Sequence, residues 1–188
     1  MKERLVRGTP LASVLRTLRD QRRTRPLPEL SSWEKDLIER KVAPSTWYAI
    51  TVFDSLLQLV HRFVYDGSEA AAQKMGRVYA RELIALMPET LVVVGDALET
   101  LARVPTRWRA QYNFAEVQVS PLPAREGEHG VRVRVSSYPD MSACHGHALI
   151  GFTQELAEKA GAASIRMQIE ERPWMHNPLL SYTLVWAG

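Results

Sequence analysis

Apolar residues recur with a helical period in the first part of the chain and alternate with polar residues in the last part. Before residue 104 they return every three or four positions, as in the series Ile50, Phe53, Leu57, Val60 and Val64. That spacing places them on one face of an α-helix. After residue 113 the period becomes two, which is typical of a strand with one buried face. The pattern therefore predicts helices first and a sheet at the end.

Alternating segments predict the strands of that sheet. They are Phe114–Val119, Val131–Val135, Ile165–Ile169 and Tyr182–Trp186. A helix is predicted between the middle two, from about Ser142 to Ala160, with an apolar stripe to lay on the sheet. The order strand, strand, helix, strand, strand predicts an α+β protein with a four-stranded antiparallel sheet beside a helical N-terminal half. Because Tyr182–Trp186 lies at the chain end, we expect it to be an edge strand.

Start and stop signals divide the N-terminal half into helices. Ser45 and Ser68 suit N-cap positions, and Pro88 suits the first position of a helix reaching about Arg103. Gly76 falls inside a predicted helix, where glycine costs about 1 kcal/mol relative to alanine. A close helix crossing would explain its presence there.

Proline marks the expected boundary near the N-terminus. The sequence Arg25-Pro26-Leu27-Pro28 predicts an extended linker, because proline disfavours helix at the residue before it. We therefore expect residues 1–28 to form a basic arm with one helix, and residues 29–188 to form a single α+β domain. Within that domain, residues 29–104 are the helical part and 105–188 the sheet-and-helix unit. Since termini are commonly loose, the arm is expected to be dispensable for folding.

Positive charge is concentrated in this arm. Residues 1–25 hold eight Lys or Arg and two acidic residues, so their net charge is +6. Since the whole chain has a net charge of +3, the remaining residues have a net charge of −3. A candidate basic patch for an anionic partner consists of Arg16, Arg19, Arg22 and Arg23. The alternative is a solvated helix face. No aromatic residue lies among these arginines, so nucleic-acid binding is not expected.

Composition bounds the class of protein. A hydrophobic fraction of 46% and a charged fraction of 24% are those of an ordinary globular protein. Cys144 is the only cysteine, which excludes an internal disulfide and fits a reducing compartment. No apolar run approaches the length of a membrane span. We therefore expect a cytoplasmic protein without a membrane span.

Cys144 and His147 are the candidate metal ligands. Both residue types bind zinc, and on a helix the two share a face, with His129 or His176 as candidates for the remaining ligands. No second Cys/His pair at zinc-finger spacing is present. The alternative is a small buried cysteine and two histidines, His145 and His147, at a helix start. Phosphate-loop, dinucleotide and serine-hydrolase motifs are absent, so no other reaction class is indicated.

Aromatic residues supply the candidate contact residues. Trp108 and Tyr112 suit the wall of an apolar pocket between sheet and helices, although such residues also fill cores. Trp174 and His176 lie in a proline-containing loop between the last two predicted strands. A large apolar side chain in such a loop is expected to contact a partner chain.

Several short motifs carry a resemblance to known families. They are Pro44-Ser45-Thr46-Trp47-Tyr48, Met75-Gly76-Arg77, Ala143-Cys144 through Gly151-Phe152, Ala160-Gly161-Ala162 and Tyr182-Thr183-Leu184-Val185-Trp186. Together they resemble a paralogue-rich myxobacterial family of about 200 residues and unknown function. The C-terminal unit also resembles the four-vinyl-reductase-like small-molecule-binding domain, a relative of the heme-NO-binding fold. The resemblance implies a ligand-binding or regulatory module, common in signalling and often dimeric.

Departures from those families shape the cofactor expectation. Glu171 to Tyr182 holds no cysteine, where relatives often carry one, and the Tyr-x-Ser-x-Arg signature of the heme-binding relatives is absent. We therefore expect no heme and no other cofactor. The favoured function is a non-enzymatic cytoplasmic regulatory module that acts through a protein partner or a homodimer. The alternatives are a sensor that binds a small apolar ligand between sheet and helices, and a metal-dependent enzyme that uses Cys144 and His147.

Overall fold

The computed structural model describes residues 3–24, 30–123 and 127–187. Its helices are α1 (Gly8–Thr24), α2 (Ser32–Glu39), α3 (Ile50–Phe63), α4 (Glu69–Leu86), α5 (Pro88–Leu91), α6 (Ala97–Ala102), α7 (Val104–Gln111) and α8 (Ala143–Lys159). Its strands are β1 (Leu5–Arg7), β2 (Trp47–Ala49), β3 (Glu116–Pro121), β4 (Glu128–Ser136), β5 (Ala163–Glu171) and β6 (Leu180–Ala187). A helical N-terminal part and a four-stranded antiparallel sheet confirm the predicted α+β class.

The sheet has the strand order β3-β4-β6-β5. In the register of β4 and β6, Val133 faces Tyr182, and in that of β5 and β6, Met167 faces Leu184. The last strand is therefore interior, and the expectation that it is an edge was wrong; β3 and β5 are the edges. Alternation within a strand reports which face is buried, and it carries no information about how many neighbours pair with the strand.

Helices α4 and α8 cross at backbone contact. A Cβ atom on Gly76 would lie 1.8 Å from the carbonyl oxygen of Ala148, and one on Gly151 would lie 1.9 Å from that of Gln73. Each helix thus presents a glycine to the backbone of the other. This arrangement confirms the close crossing expected from Gly76. On its other side α8 covers the sheet, where Thr153 Oγ1 lies 2.9 Å from the Tyr182 hydroxyl.

The N-terminal segment belongs to the core. Leu11, Leu15 and Leu18 on α1 are fully buried, and β1 pairs with β2, with Val6 opposite Tyr48. The burial of this apolar stripe speaks against a loose arm, and whether the fold can do without residues 1–25 stays a prediction. The predicted linker at residues 25–28 lies outside the described residues.

Two helix boundaries differ from those predicted. The helix expected after Ser45 begins at Ile50, because the intervening residues form β2 and pair with β1. The helix expected from Pro88 to Arg103 is divided into α5 and α6. Gly95, with a φ of +83°, lies between them and donates its N–H to the Ala160 carbonyl at 2.9 Å. Long-range pairing has overridden local helix signals at both places. Within the described ranges, no helix has the length and apolarity needed to cross a membrane.

Candidate functional site

A partly open cavity of about 150 Å³ lies between the helices of the N-terminal part and α8. Side chains from α1, α3, α4, α7 and α8 line it, and most of them are aliphatic or aromatic. The lining includes Val14, Phe53, Leu57, Tyr79, Trp108 and Leu149. Enclosed apolar cavities of this volume in other proteins admit benzene or xenon. The cavity is thus suited to a small apolar ligand.

Aromatic rings build one wall of the cavity. Trp108 and Tyr112 stack with ring centroids 4.0 Å apart and an interplanar angle of 15°. Phe53 meets Tyr112 edge to face at 6.4 Å. The indole N–H of Trp108 donates to the Phe114 carbonyl at 3.1 Å, which fixes the ring. Both predicted wall residues, Trp108 and Tyr112, therefore line a cavity; their contact with a ligand stays a prediction.

His145 places an imidazole in this wall. It follows the N-cap of α8, where its backbone N–H donates to the Ser142 hydroxyl at 3.2 Å. Its ring centroid lies 5.4 Å from that of Phe53 and 5.9 Å from that of Tyr112. The residue is only 4% exposed. The first turn of α8 thus positions His145 among the cavity aromatics.

The Asp54 carboxylate and the Tyr138 hydroxyl contact the imidazole of His145 on its Nδ1 side. His145 Nδ1 lies 2.9 Å from Asp54 Oδ1, and the Tyr138 hydroxyl donates to Asp54 Oδ2 at 2.7 Å. Burial, and then the charge of Asp54, raises the pKa of Tyr138, so the hydroxyl stays protonated. An ionised carboxylate only accepts hydrogen bonds, so the shared proton of the His145–Asp54 pair belongs on Nδ1.

Sequence reasoning missed Asp54 and Tyr138 and set His145 aside as a helix-start residue. One signal was present in the sequence. Asp54 lies four residues after Ile50 and three before Leu57, on the apolar face of α3. Acidic residues are rarely buried without a partner. An Asp on such a face therefore indicates a buried partner, although its identity depends on which elements meet there.

The structure places the candidate metal ligands in separate surroundings. The thiol of Cys144 is buried with its sulfur 3.8 Å from the Leu57 carbonyl, and burial raises its pKa to about 12. His147 Nδ1 lies 3.4 Å from Gln73 Nε2. Among the described residues no group of three His, Cys, Asp or Glu side chains is arranged to hold a metal ion. The metal hypothesis therefore gains no support from them, since a protonated thiol is a poor ligand.

Trp174 and His176 lie away from the cavity. The Trp174 ring covers Gly146, where a Cβ atom would come within 2.2 Å of it. Its centroid is 5.2 Å from that of His147. Trp174 is thus half-buried, while His176 is exposed and the neighbouring Met175 is 59% exposed. Contact between this loop and a partner stays a prediction.

Each arginine of the candidate basic patch has an internal partner. Arg19 donates to the carbonyls of Ile38 and Arg40, at 2.6 Å in both cases. The other three contact carboxylates: Arg16 to Glu82 at 3.8 Å, Arg22 to Glu39 at 3.0 Å and Arg23 to Asp20 at 3.5 Å. The contacts of Arg19 and Arg22 tie α1 to α2 and its C-terminal end, that of Arg16 ties α1 to α4, and Arg23 pairs within α1. Binding of an anionic partner by this patch stays a prediction.

The whole chain has the fold of the heme-NO-binding (H-NOX) domains. A variant of T. tengcongensis H-NOX matches with a TM-score of 0.65 and 9% identity over 96% of each chain. An Fe(II) unliganded variant from K. algicida matches with a TM-score of 0.63 and 14% identity, over 97% of this chain and 96% of that one. An H-NOX variant from S. oneidensis in the Fe(II) ligation state matches with a TM-score of 0.64 and 14% identity, over 91% of this chain and 92% of that one. No family profile and no curated protein matches the sequence, so the myxobacterial family stays a prediction.

This likeness corrects the expectation that the chain binds no heme. The structures that share the fold include one determined to probe heme distortion and one of an oxygen complex. The absence of the Tyr-x-Ser-x-Arg triplet was therefore too weak a ground for excluding heme, and that expectation was wrong. Heme iron needs an axial ligand, and His145 with its Asp54 partner has the required donor chemistry. The cavity of about 150 Å³ is smaller than the ~300–1,000 Å³ of clefts for drug-sized ligands, so a porphyrin would enter only if the lining side chains moved apart.

Proposed function

We propose that this chain is a sensor domain that binds a small, largely apolar molecule in the cavity beside His145. The observation that carries the proposal is a partly open cavity with aromatic side chains in its wall and an imidazole that Asp54 orients. Ligand sites typically combine an apolar lining with a few well-placed polar groups. The relatedness in fold to an oxygen-binding H-NOX domain supports a sensor more directly than a module that acts only through protein contacts.

Helix α8 offers a route from the cavity to the sheet. Its residues His145, Leu149 and Phe152 line the cavity, while Thr153 contacts the Tyr182 hydroxyl on β6 at 2.9 Å. A ligand that displaces α8 would therefore also displace the sheet. The sequence favoured a regulatory module that acts through a partner protein. In this proposal, a partner protein would bind at the sheet and respond to the ligand in the cavity.

Titration with benzene, followed by NMR of the protein, tests for the cavity. We expect benzene to shift resonances of cavity residues in the wild type. It should bind far more weakly to Val14→Phe, because the larger side chain occupies part of the cavity that Val14 lines. Val94→Phe makes the same chemical change at a position that is 88% exposed and serves as the matched control. The proposal fails if the wild type does not respond to benzene, or if Val14→Phe binds it as well as the control does.

Titration with hemin, followed by absorbance, distinguishes a second outcome. A Soret band that appears at one equivalent in the wild type, and is lost in His145→Phe, would mean that the helices part to admit a porphyrin with His145 as the axial ligand. That result would replace the ligand class proposed here. No stoichiometric Soret band, together with benzene binding, would support the smaller ligand.

A further inference from the structure

The free nitrogen of His145 is a hydrogen-bond acceptor. Its Nδ1 proton points to Asp54, and neither Asp54 nor Tyr138 is part of the cavity lining. In a neutral imidazole with the proton on Nδ1, Nε2 carries a lone pair. Within the described part of the chain Nε2 makes no hydrogen bond, although the ring lines the cavity. A ligand in the cavity therefore meets an acceptor that still lacks its donor.

Charged groups in the lining are already engaged. In the described ranges these are Glu82 and Arg107. Glu82 accepts a hydrogen bond from the Ser13 hydroxyl at 2.6 Å, and Arg107 donates to the Thr90 carbonyl at 2.6 Å. Most of the lining is apolar, and burying a charged group against apolar side chains is costly. The lining therefore favours an uncharged ligand.

From these observations we infer that the ligand is an uncharged aromatic molecule of one or two rings that carries an N–H or O–H donor, and that His145 Nε2 accepts this donor. The inference rests on the proposed function. It adds the chemistry of the ligand. The ligand's rings would pack against the stacked Trp108 and Tyr112, and its N–H or O–H would donate to the imidazole of His145. His145 is then the residue that determines specificity, and Asp54 is the residue that sets its tautomer.

Indole and benzofuran form a matched pair of probes, because they share a shape and differ in an N–H donor against a ring oxygen. If transfer from water into the cavity alone decided the affinity, benzofuran would bind more tightly, because indole loses a hydrogen bond to water on transfer. We expect calorimetric titration of the wild type to show the opposite order, with indole bound on the order of tenfold more tightly, as one satisfied buried hydrogen bond supplies.

Two variants connect this preference to the imidazole. In Asp54→Asn the side-chain amide and the Tyr138 hydroxyl can both donate to Nδ1, so the ring proton moves to Nε2 and the acceptor becomes a donor. We expect the preference for indole to disappear or reverse. His145→Phe keeps an aromatic ring without the acceptor and should bind both probes with the preference lost. The ratio of the two Kd values is compared within each variant, so a moderate loss of stability does not affect it.

Nitrogen-15 NMR of the wild-type imidazoles reports the tautomer even if neither variant folds. A protonated Nδ1 on His145 supports the inference, and a protonated Nε2 overturns it. Equal binding of indole and benzofuran by the wild type, or tighter binding of benzofuran, also overturns it and leaves the proposed function standing. If the wild type binds neither of them, nor benzene, the proposed function itself fails.

Discussion

Gly76→Ala tests the crossing of α4 and α8, which forms part of the cavity wall. The added Cβ atom would lie 1.8 Å from the Ala148 carbonyl oxygen and 2.6 Å from its carbon, whereas Cβ atoms essentially never approach another heavy atom within 3.0 Å. Both obstructing atoms belong to backbone, so no side-chain rotation relieves the contact. The helices must move apart by more than 1 Å, the difference between 3.0 and 1.8 Å.

Two opposing effects set the magnitude. Overpacking a well-packed site costs about 1–3 kcal/mol, and more where backbone must shift. Alanine recovers about 1 kcal/mol over glycine in a helix interior. Because the obstacle is backbone, the cost lies at or above the upper end of that range, and we expect a net loss of about 2 kcal/mol in the free energy of unfolding. For a chain of this length the loss corresponds to a fall in Tm of about 4–8 °C.

Chemical denaturation followed by circular dichroism measures this loss. Gly95→Ala is a matched control, because Gly95 has a φ of +83° and open space around its Cβ position. It should lose stability through left-handed strain alone, about 1–2 kcal/mol, and leave benzene binding unchanged. Gly76→Ala should weaken benzene binding as well, since both helices line the cavity. The double variant with Gly151→Ala should lose less than the sum of the single losses, because both changes open the same crossing.

A neutral or stabilising Gly76→Ala would refute the reasoning. Helix propensity alone predicts a gain of about 1 kcal/mol from that substitution, so the two arguments differ in sign. Additive losses in the double variant would also count against a shared crossing, since independent sites add and coupled sites do not.

Two further predictions concern the core helix α1 and the buried His147. Leu15→Ala should cost roughly 3 kcal/mol in the free energy of unfolding, because Leu15 is fully buried. Arg16→Ala is the exposed control. If Leu15→Ala costs less than about 1 kcal/mol, the N-terminal segment is a loose arm as the sequence predicted. Burial lowers the pKa of His147, so the unfolded chain binds more protons and stability should fall as pH drops from about 7 to 5. His147→Gln should flatten that slope in denaturation titrations at several pH values, and an unchanged slope would contradict the assignment.

The sequence determined most of the helices, the four strands of the main sheet and the face that each of them buries. The period of apolar residues reports which face of a helix or strand is covered, because burial acts on each residue separately. The α+β class, the cap at Ser68 and the close approach at Gly76 followed from local chemistry. The cavity-lining positions of Trp108 and Tyr112 were within reach for the same reason, since large rings are placed where apolar surface is needed.

Only the tertiary structure decided which elements meet. The interior position of β6, the pairing of β1 with β2 and the burial of α1 depend on contacts between distant residues, which alternation and caps do not encode. The same holds for the candidate site. Asp54 and His145 are 91 residues apart in sequence, and Asp54 stands on an apolar face that gave no sign of its partner. A buried hydrogen bond is specified by the geometry of two packed elements, and that geometry exists only once the chain has folded.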